Sequence, residues 1–220
     1  MARRDRSRHS LKRQGPKREP YDRVLIVCEG EKTEPNYLRE MIAHFQLSSA
    51  NVAIVGDGGA APISVVELAL EMFRADPDYN AVFCVFDRDD HESFDRALSK
   101  LDTARPLLRR DGKKKLGEAR LEAITSIPCF EYWLLLHYQY TTAPMALFAD
   151  VERKLKQIPE HVAYRKGEQG LFRCTLEKLE VALANADRAN REATKNETDN
   201  PTTQLPALIR YLQELAERRL

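Results

Sequence analysis

Two short apolar runs in this chain end abruptly in acid. Val24-Leu25-Ile26-Val27-Cys28 is followed by Glu29-Gly30-Glu31, and Ala81-Val82-Phe83-Cys84-Val85-Phe86 by Asp87-Arg88-Asp89-Asp90-His91. Unbroken runs of β-branched and aromatic residues read as strands buried on both faces, as in a parallel sheet. A weaker run at 51–55 closes on Gly56-Asp57-Gly58-Gly59. Between the strands the period changes. Tyr37, Leu38, Met41, Ile42 and Phe45 recur at helical spacing behind Thr33-Glu34-Pro35, an N-cap hydroxyl with an early proline, which predicts a helix to about residue 46. Val65, Val66, Leu68, Ala69, Leu70, Met72 and Phe73 predict a second helix reaching Asp76, and a third is expected from Glu92 to Leu101. This alternation indicates an α/β fold, a Rossmann-like largely parallel sheet flanked by helices.

Farther along, residues 104–118 are basic and contain glycine, and read as a loop. Leu121, Ala123, Ile124 and Ile127 leave residues 120–126 open between strand and helix. Pro128 permits a helix start, with Phe130, Trp133, Leu134 and His137 on one face. Tyr132, Trp133 and Tyr138 invite a base-stacking role, but Leu134-Leu135-Leu136 among them argue for core. The stretches 144–157, 175–192 and 203–219 read as helices, the second with small Ala182, Ala184, Ala186 and Ala189 for close packing. The expected organisation is a basic arm (1–22), an α/β domain (23–140) and a helical C-terminal annex (141–220) packed on the same core.

Composition changes this picture only at the edges. A chain of 220 residues suffices for one core with an annex, and 43% hydrophobic with 31% charged residues is ordinary. No apolar run approaches the roughly 18–20 residues that span a bilayer, and no apolar segment backs the basic N-terminus as in a secretory signal. A soluble, cytoplasmic protein is expected. Cys28, Cys84, Cys129 and Cys174 are scattered without a Cys-x-x-Cys pair and read as small hydrophobes. The net charge of +1 conceals an asymmetry: residues 1–23 hold nine Lys/Arg against three Asp/Glu. Such an arm suits nucleic-acid phosphates or an acidic partner surface, or is simply solvated. A second basic cluster, Arg105, Arg109, Arg110, Lys113, Lys114, Lys115 and Arg120, follows the second acidic run closely in sequence. With Arg88 it is expected to attract nucleic acid.

The acids suggest the chemistry. In open α/β sheets ligands bind beyond the carboxyl ends of the strands. Glu29 after one strand and Asp87-x-Asp89 after another would put three hard oxygen ligands at one edge, which suits Mg²⁺, with Mn²⁺ possible in its place. The glycines at 56–59 match neither phosphate-binding fingerprint, and no nucleophile elbow is present. Aspartate-phosphorylating hydrolases also use Asp-x-Asp after a strand, but normally on the first strand.

Residues 27–34, Val-Cys-Glu-Gly-Glu-Lys-Thr-Glu, resemble the glutamate motif of the Toprim fold, and Val85-Phe86-Asp87-Arg88-Asp89-Asp90 resembles its Asp-x-Asp motif. More specifically the chain is similar to the RloB-like family of prokaryotic defence proteins. The supporting segments are residues 29–34, 86–91 and 126–137, with Tyr164-Arg165-Lys166 and Asn200-Pro201-Thr202-Thr203 later. The resemblance implies a divalent metal on Glu29, Asp87 and Asp89, phosphodiester cleavage in DNA or RNA, and partnership with an AAA or ABC-type ATPase in antiphage defence. A second metal would draw on Glu34 or Asp90. Water, rather than the tyrosine of topoisomerases, would be the attacking group. Glu131 is the expected further ligand or general base. His137 is a candidate proton carrier or phosphate contact, and the family pattern raises Lys166 as a phosphate-stabilising cation. Glu131 and His137 stand six apart, roughly 240° around a helix, so they do not share a face. The rival expectations are a non-catalytic adaptor binding the ATPase or nucleic acid, and a small-molecule phosphohydrolase. The last amphipathic helix offers a homo-oligomer contact.

Overall fold

The computed structural model describes residues 22–47, 52–56, 61–88 and 92–218. The expected alternation opens it: β1 (Val24–Cys28), α1 (Thr33–His44), β2 (Val52–Gly56), α2 (Pro62–Ala75), β3 (Ala81–Asp87) and α3 (Phe94–Ala104). A hairpin follows, β4 (Leu107–Asp111) and β5 (Lys114–Ile127), and then α4 (Glu131–Leu136), α5 (Phe148–Leu155), α6 (Leu171–Thr175), α7 (Leu179–Lys195), β6 (Thr202–Thr203) and α8 (Leu205–Glu217). Among the described residues the sheet runs β2-β1-β3-β5-β4, with β6 added to the end of β5. β1, β2, β3 and β5 are parallel, whereas β4 and β6 run antiparallel to β5.

Every residue of β1 and β3 is buried, which is why both read as unbroken apolar runs. Alternate side chains serve opposite faces. Val24, Ile26, Phe83 and Val85 pack beneath α1 and the C-terminal helices, joined by Trp133, Leu205, Leu208 and Leu212. Leu25, Val27, Val82 and Cys84 pack against α2 and α3 through Val66, Phe73, Ala97 and Leu101. The C-terminal helices therefore share a core with the sheet.

Several boundaries differ from the sequence reading. Residues 104–118 are mostly strand: β4 and β5 form a hairpin turning at Gly112, whose φ of +55° is easy only without a Cβ. The ambiguous segment 120–126 is strand and pairs with β3 from Ala81↔Arg120 to Asp87↔Ser126. The helix after Pro128 is a single buried run, α4; the first and last annex helices contract to α5 and α8, and the middle one shifts to α7, which runs on to Lys195. Thr33 opens α1 from within, and its hydroxyl accepts the Gly167 N–H at 2.9 Å instead of capping its own helix. The basic arm to residue 21, the Asp57-Gly58-Gly59 turn, Asp89, Asp90 and His91 lie outside the described residues. No described helix is long and apolar enough to cross a membrane.

Candidate functional site

The strand order reverses between β1 and β3: β2 lies to one side of β1, and the chain then returns to the other side. Such a switch point opens a crevice at the carboxyl ends of the strands. Glu29 emerges from β1 there. Its N–H donates to Val85 O at 2.9 Å, and its Oε2 accepts the backbone N–H of Asp87 at 3.0 Å. Asp87 is the last residue of β3, and its Oδ2 accepts the Phe130 N–H at 3.0 Å, fixing the approach to α4. Both acids are buried, so these bonds supply donors that water cannot.

A second pair of acids stands beside them. Glu34, in the first turn of α1, lies so close to Gly30 that a Cβ there would fall 2.1 Å from its Oε2. Glycine after Glu29 thus makes room for a carboxylate, and Gly56 makes room for Gly30: a Cβ at Gly56 would lie 2.8 Å from Gly30 O. Burial pushes the Glu34 carboxyl up to about 7, with Glu131 and Glu29 adding repulsion, while its backbone N–H and Lys166 oppose the shift. Glu131 opens α4 and is 1% exposed. Its Oε1 accepts the Tyr164 hydroxyl at 2.7 Å, and its Oε2 is buried with no hydrogen-bond partner.

Glu34 and Glu131 border a pocket of about 360 Å³ whose walls also include Gly30, Thr33 and Lys166, while Glu29 and Asp87 lie behind its lining. One wall is the 164–170 loop, tied to α1 at three points. Gly167 N–H reaches Thr33 Oγ1, Asn36 Nδ2 donates to Gly167 O at 3.4 Å, and Gly170 N–H donates to Glu40 Oε1. Gly167 sits at φ +82° with the Lys32 side chain 3.0 Å from where a Cβ would stand, so conformation and space both favour glycine. Lys166 lies 4.4 Å from the centre of the Phe148 ring. On the far side of Asp87, Ser126 shares a 3.0 Å hydroxyl contact with Thr203 of β6, and Arg88 pairs with Asp199.

The structure thus gathers Glu29, Asp87, Glu34, Glu131 and Lys166 at one end of the sheet. His137 is buried behind them: Nδ1 lies 3.0 Å from Trp133 O, and Nε2 3.5 Å from the Tyr37 hydroxyl. Burial pulls its pKa down to about 4, so it is a neutral core histidine under ordinary conditions and does not line the pocket. The basic cluster is also elsewhere. Because β5 runs parallel to β3, Arg110, Lys113, Lys114 and Lys115 project beyond its amino end, with Lys115 eleven residues, roughly 35 Å of strand, from Ser126 beside Asp87. Arg109 is held by Asp78 at 3.2 Å and Arg105 by Asp102 at 2.7 Å.

Tyr164, Thr33 and Gly167 shape the site without having been singled out for it. Tyr164 was visible only as part of the family pattern.

The donor set fits a hard divalent cation. It is all oxygen, rich in carboxylate, and contains a buried orphan oxygen at Glu131. Among the described residues no three His, Cys, Asp or Glu side chains are grouped so as to hold a metal ion.

The chain matches the family described as RloB-like protein over residues 24–212. It belongs to the RloB-like family. No curated protein and no solved structure gives a significant match. The matched span runs from β1 into α8, so it takes in every residue lining the pocket, and also the Tyr164 loop and the Thr202–Thr203 strand.

Proposed function

We propose that this RloB-like chain is a metal-dependent phosphodiesterase of nucleic acids whose active site is the pocket beyond β1 and β3. The observation that carries the reading is Glu131 Oε2, a buried carboxylate oxygen without a donor, in a pocket wall shared with Glu34 and Lys166. A buried carboxylate oxygen is costly unless a hydrogen-bond donor or a cation can reach it. Glu29 and Asp87, with Asp89, are the proposed holders of Mg²⁺ or Mn²⁺, and Glu34 or Asp90 the further ligands. When bound, the ion supplies charge neutralisation at phosphate and acidifies a coordinated water.

The protein groups have separable roles in this reading. Tyr164 fixes one oxygen of Glu131, which orients the other as proton acceptor for the attacking water. Lys166 offers a positive charge to the phosphate oxygens. Gly30 keeps the Glu34 carboxylate beside the pocket. An AAA or ABC-type ATPase partner and a role in antiphage defence are proposed with it on the family resemblance.

The test is purified protein on DNA, tRNA and mRNA with Mg²⁺, Mn²⁺ or EDTA, with and without a candidate AAA or ABC-type ATPase partner. Glu29→Gln and Asp87→Asn should abolish cleavage while leaving the fold intact. Unchanged cleavage in both variants would reject the assignment. The rival reading, a non-catalytic adaptor, has one observation in its favour: Glu29 and Asp87 each bind a backbone N–H, a role that needs no metal. Calorimetric titration with Mn²⁺ separates the two, since an adaptor need take up none.

A further inference from the structure

The hairpin cations that sequence proximity assigns to nucleic acid project from the end of the sheet opposite the pocket, Arg88 is held by Asp199, and a different set lies beside the pocket. α1 carries Asn36, Arg39 and Ala43 along its outer face, with Lys32 just before its first turn, at spacings of three or four residues that keep them aligned. Opposite lie Arg165 of the 164–170 loop and Arg173 of α6. Between these walls runs a groove of about 410 Å³ lined by Arg39, Glu40, Ala43, Phe172, Arg173 and Leu176. The Asn36–Gly167 and Glu40–Gly170 hydrogen bonds tie the loop to α1 between this groove and the pocket rim at Lys32 and Gly167, so the two openings lie along the same helix.

Lys32, Arg39, Arg165 and Arg173 are all exposed, and among the described residues none of them forms an ion pair. Elsewhere Arg23, Arg88, Arg120 and Arg210 are each held by a carboxylate. The nearby described acids keep their own charge but form no ion pair with these four, being turned to backbone N–H groups instead. Glu40 accepts from the Gly170 and Arg173 N–H groups, and Glu168 accepts the Arg165 N–H at 3.3 Å. Glu31 stands on the pocket rim together with the wall acids Glu34 and Glu131.

We propose that a nucleic-acid strand entering the pocket continues along the α1–α6 groove with its phosphates on Lys32, Arg39, Arg165 and Arg173, and that the β4–β5 hairpin takes no part in holding it. Choosing a polynucleotide as the ligand rests on the phosphodiesterase reading. Point charges strung along a groove suit a repeating phosphate backbone, which is bound without regard to sequence through counterion release.

The test is fluorescence anisotropy of a short labelled single-stranded oligonucleotide over a salt series in EDTA, where cleavage plays no part. Arg39→Ala/Arg173→Ala should weaken binding at least about tenfold at low salt and flatten the log K against log salt slope by roughly 1.4, two contacts at about 0.7 each. Lys113→Ala/Lys114→Ala/Lys115→Ala should bind like the wild type. The proposal is overturned if the arginine pair leaves binding unchanged, if the hairpin variant loses as much, or if the wild type binds no oligonucleotide. Groove-dependent binding without cleavage in Mg²⁺ or Mn²⁺ would sink the phosphodiesterase reading alone. Cleavage that survives with binding indifferent to Arg39 and Arg173 would sink the groove alone.

Discussion

Tyr164→Phe isolates the contact on which the pocket's charge balance depends. The substitution keeps the buried ring and deletes only the hydroxyl that donates to Glu131 Oε1 at 2.7 Å. Glu131 Oε2 already lacks a partner, so the variant leaves a buried carboxylate with neither oxygen satisfied by that donor. A hydrogen bond to a charged group contributes about 1.5–3 kcal/mol, and orphaning the acceptor forfeits the whole of it. In a chain of this size about 2 kcal/mol corresponds to a Tm lower by roughly 4–8 °C. Urea unfolding in EDTA, followed through the buried and sole tryptophan, Trp133, measures the loss directly. In a Glu131→Gln background the side chain is neutral, and removing the hydroxyl should cost about 1 kcal/mol. The difference is the coupling between the two groups. A loss under about 0.5 kcal/mol, or an equal loss in both backgrounds, would refute the claim that Tyr164 supports a charged Glu131.

Two further outcomes follow from the same geometry. Gly30→Ala should displace the Glu34 carboxylate, whose Oε2 would be 2.1 Å from the new Cβ, into the open pocket; Mn²⁺ uptake and cleavage fall sharply while urea stability changes by less than about 1 kcal/mol, and a variant with full activity contradicts the packing argument. His137 predicts acid lability with a defined sign. Its folded pKa is near 4 against an ordinary 6.5, so between those values the unfolded chain binds a proton there that the folded chain does not. Stability from the neutral imidazole is complete above about pH 6.5 and declines as pH falls toward 4, by up to about 3 kcal/mol. His137→Gln should flatten the stability–pH curve in that window relative to the wild type; parallel curves would count against a buried neutral histidine.

The acid-capped strands were legible because β1 and β3 are buried on both faces, leaving runs with no polar interruption. Their parallel pairing carries Glu29 next to Asp87, a convergence that two apolar runs ending in acid already implied. The β4–β5 hairpin was misread for the opposite reason. Most of its outer half is exposed, so no apolar face marks it, and the one local sign was Gly112, the first residue of the two-residue turn Gly112-Lys113. Reading it as a loop also misplaced the basic cluster: Lys115 follows Asp87 closely in sequence, but the chain crosses the whole sheet before β5 returns to the acidic end. Tyr164 could not be found by periodicity at all, because it reaches Glu131 from a loop 33 residues away. His137 was ambiguous in principle, since only its neighbours Tyr37 and Trp133 decide between a working and a packed imidazole.

The two-residue strand β6 has an outsized bearing on how this protein can be cut apart. Thr203 is gripped by Asn190 at both backbone groups and by Ser126 through its hydroxyl, while Gln204 N–H binds Thr125 O. A shortened version stopping near residue 140 would strip the sheet's last rung from beside Asp87 and bare Phe83 and Val85 to water. Fragments designed to separate the sheet from the C-terminal helices would therefore fail as reagents; point substitutions on α7 or α8 are the sound way to ask what that half of the molecule contributes.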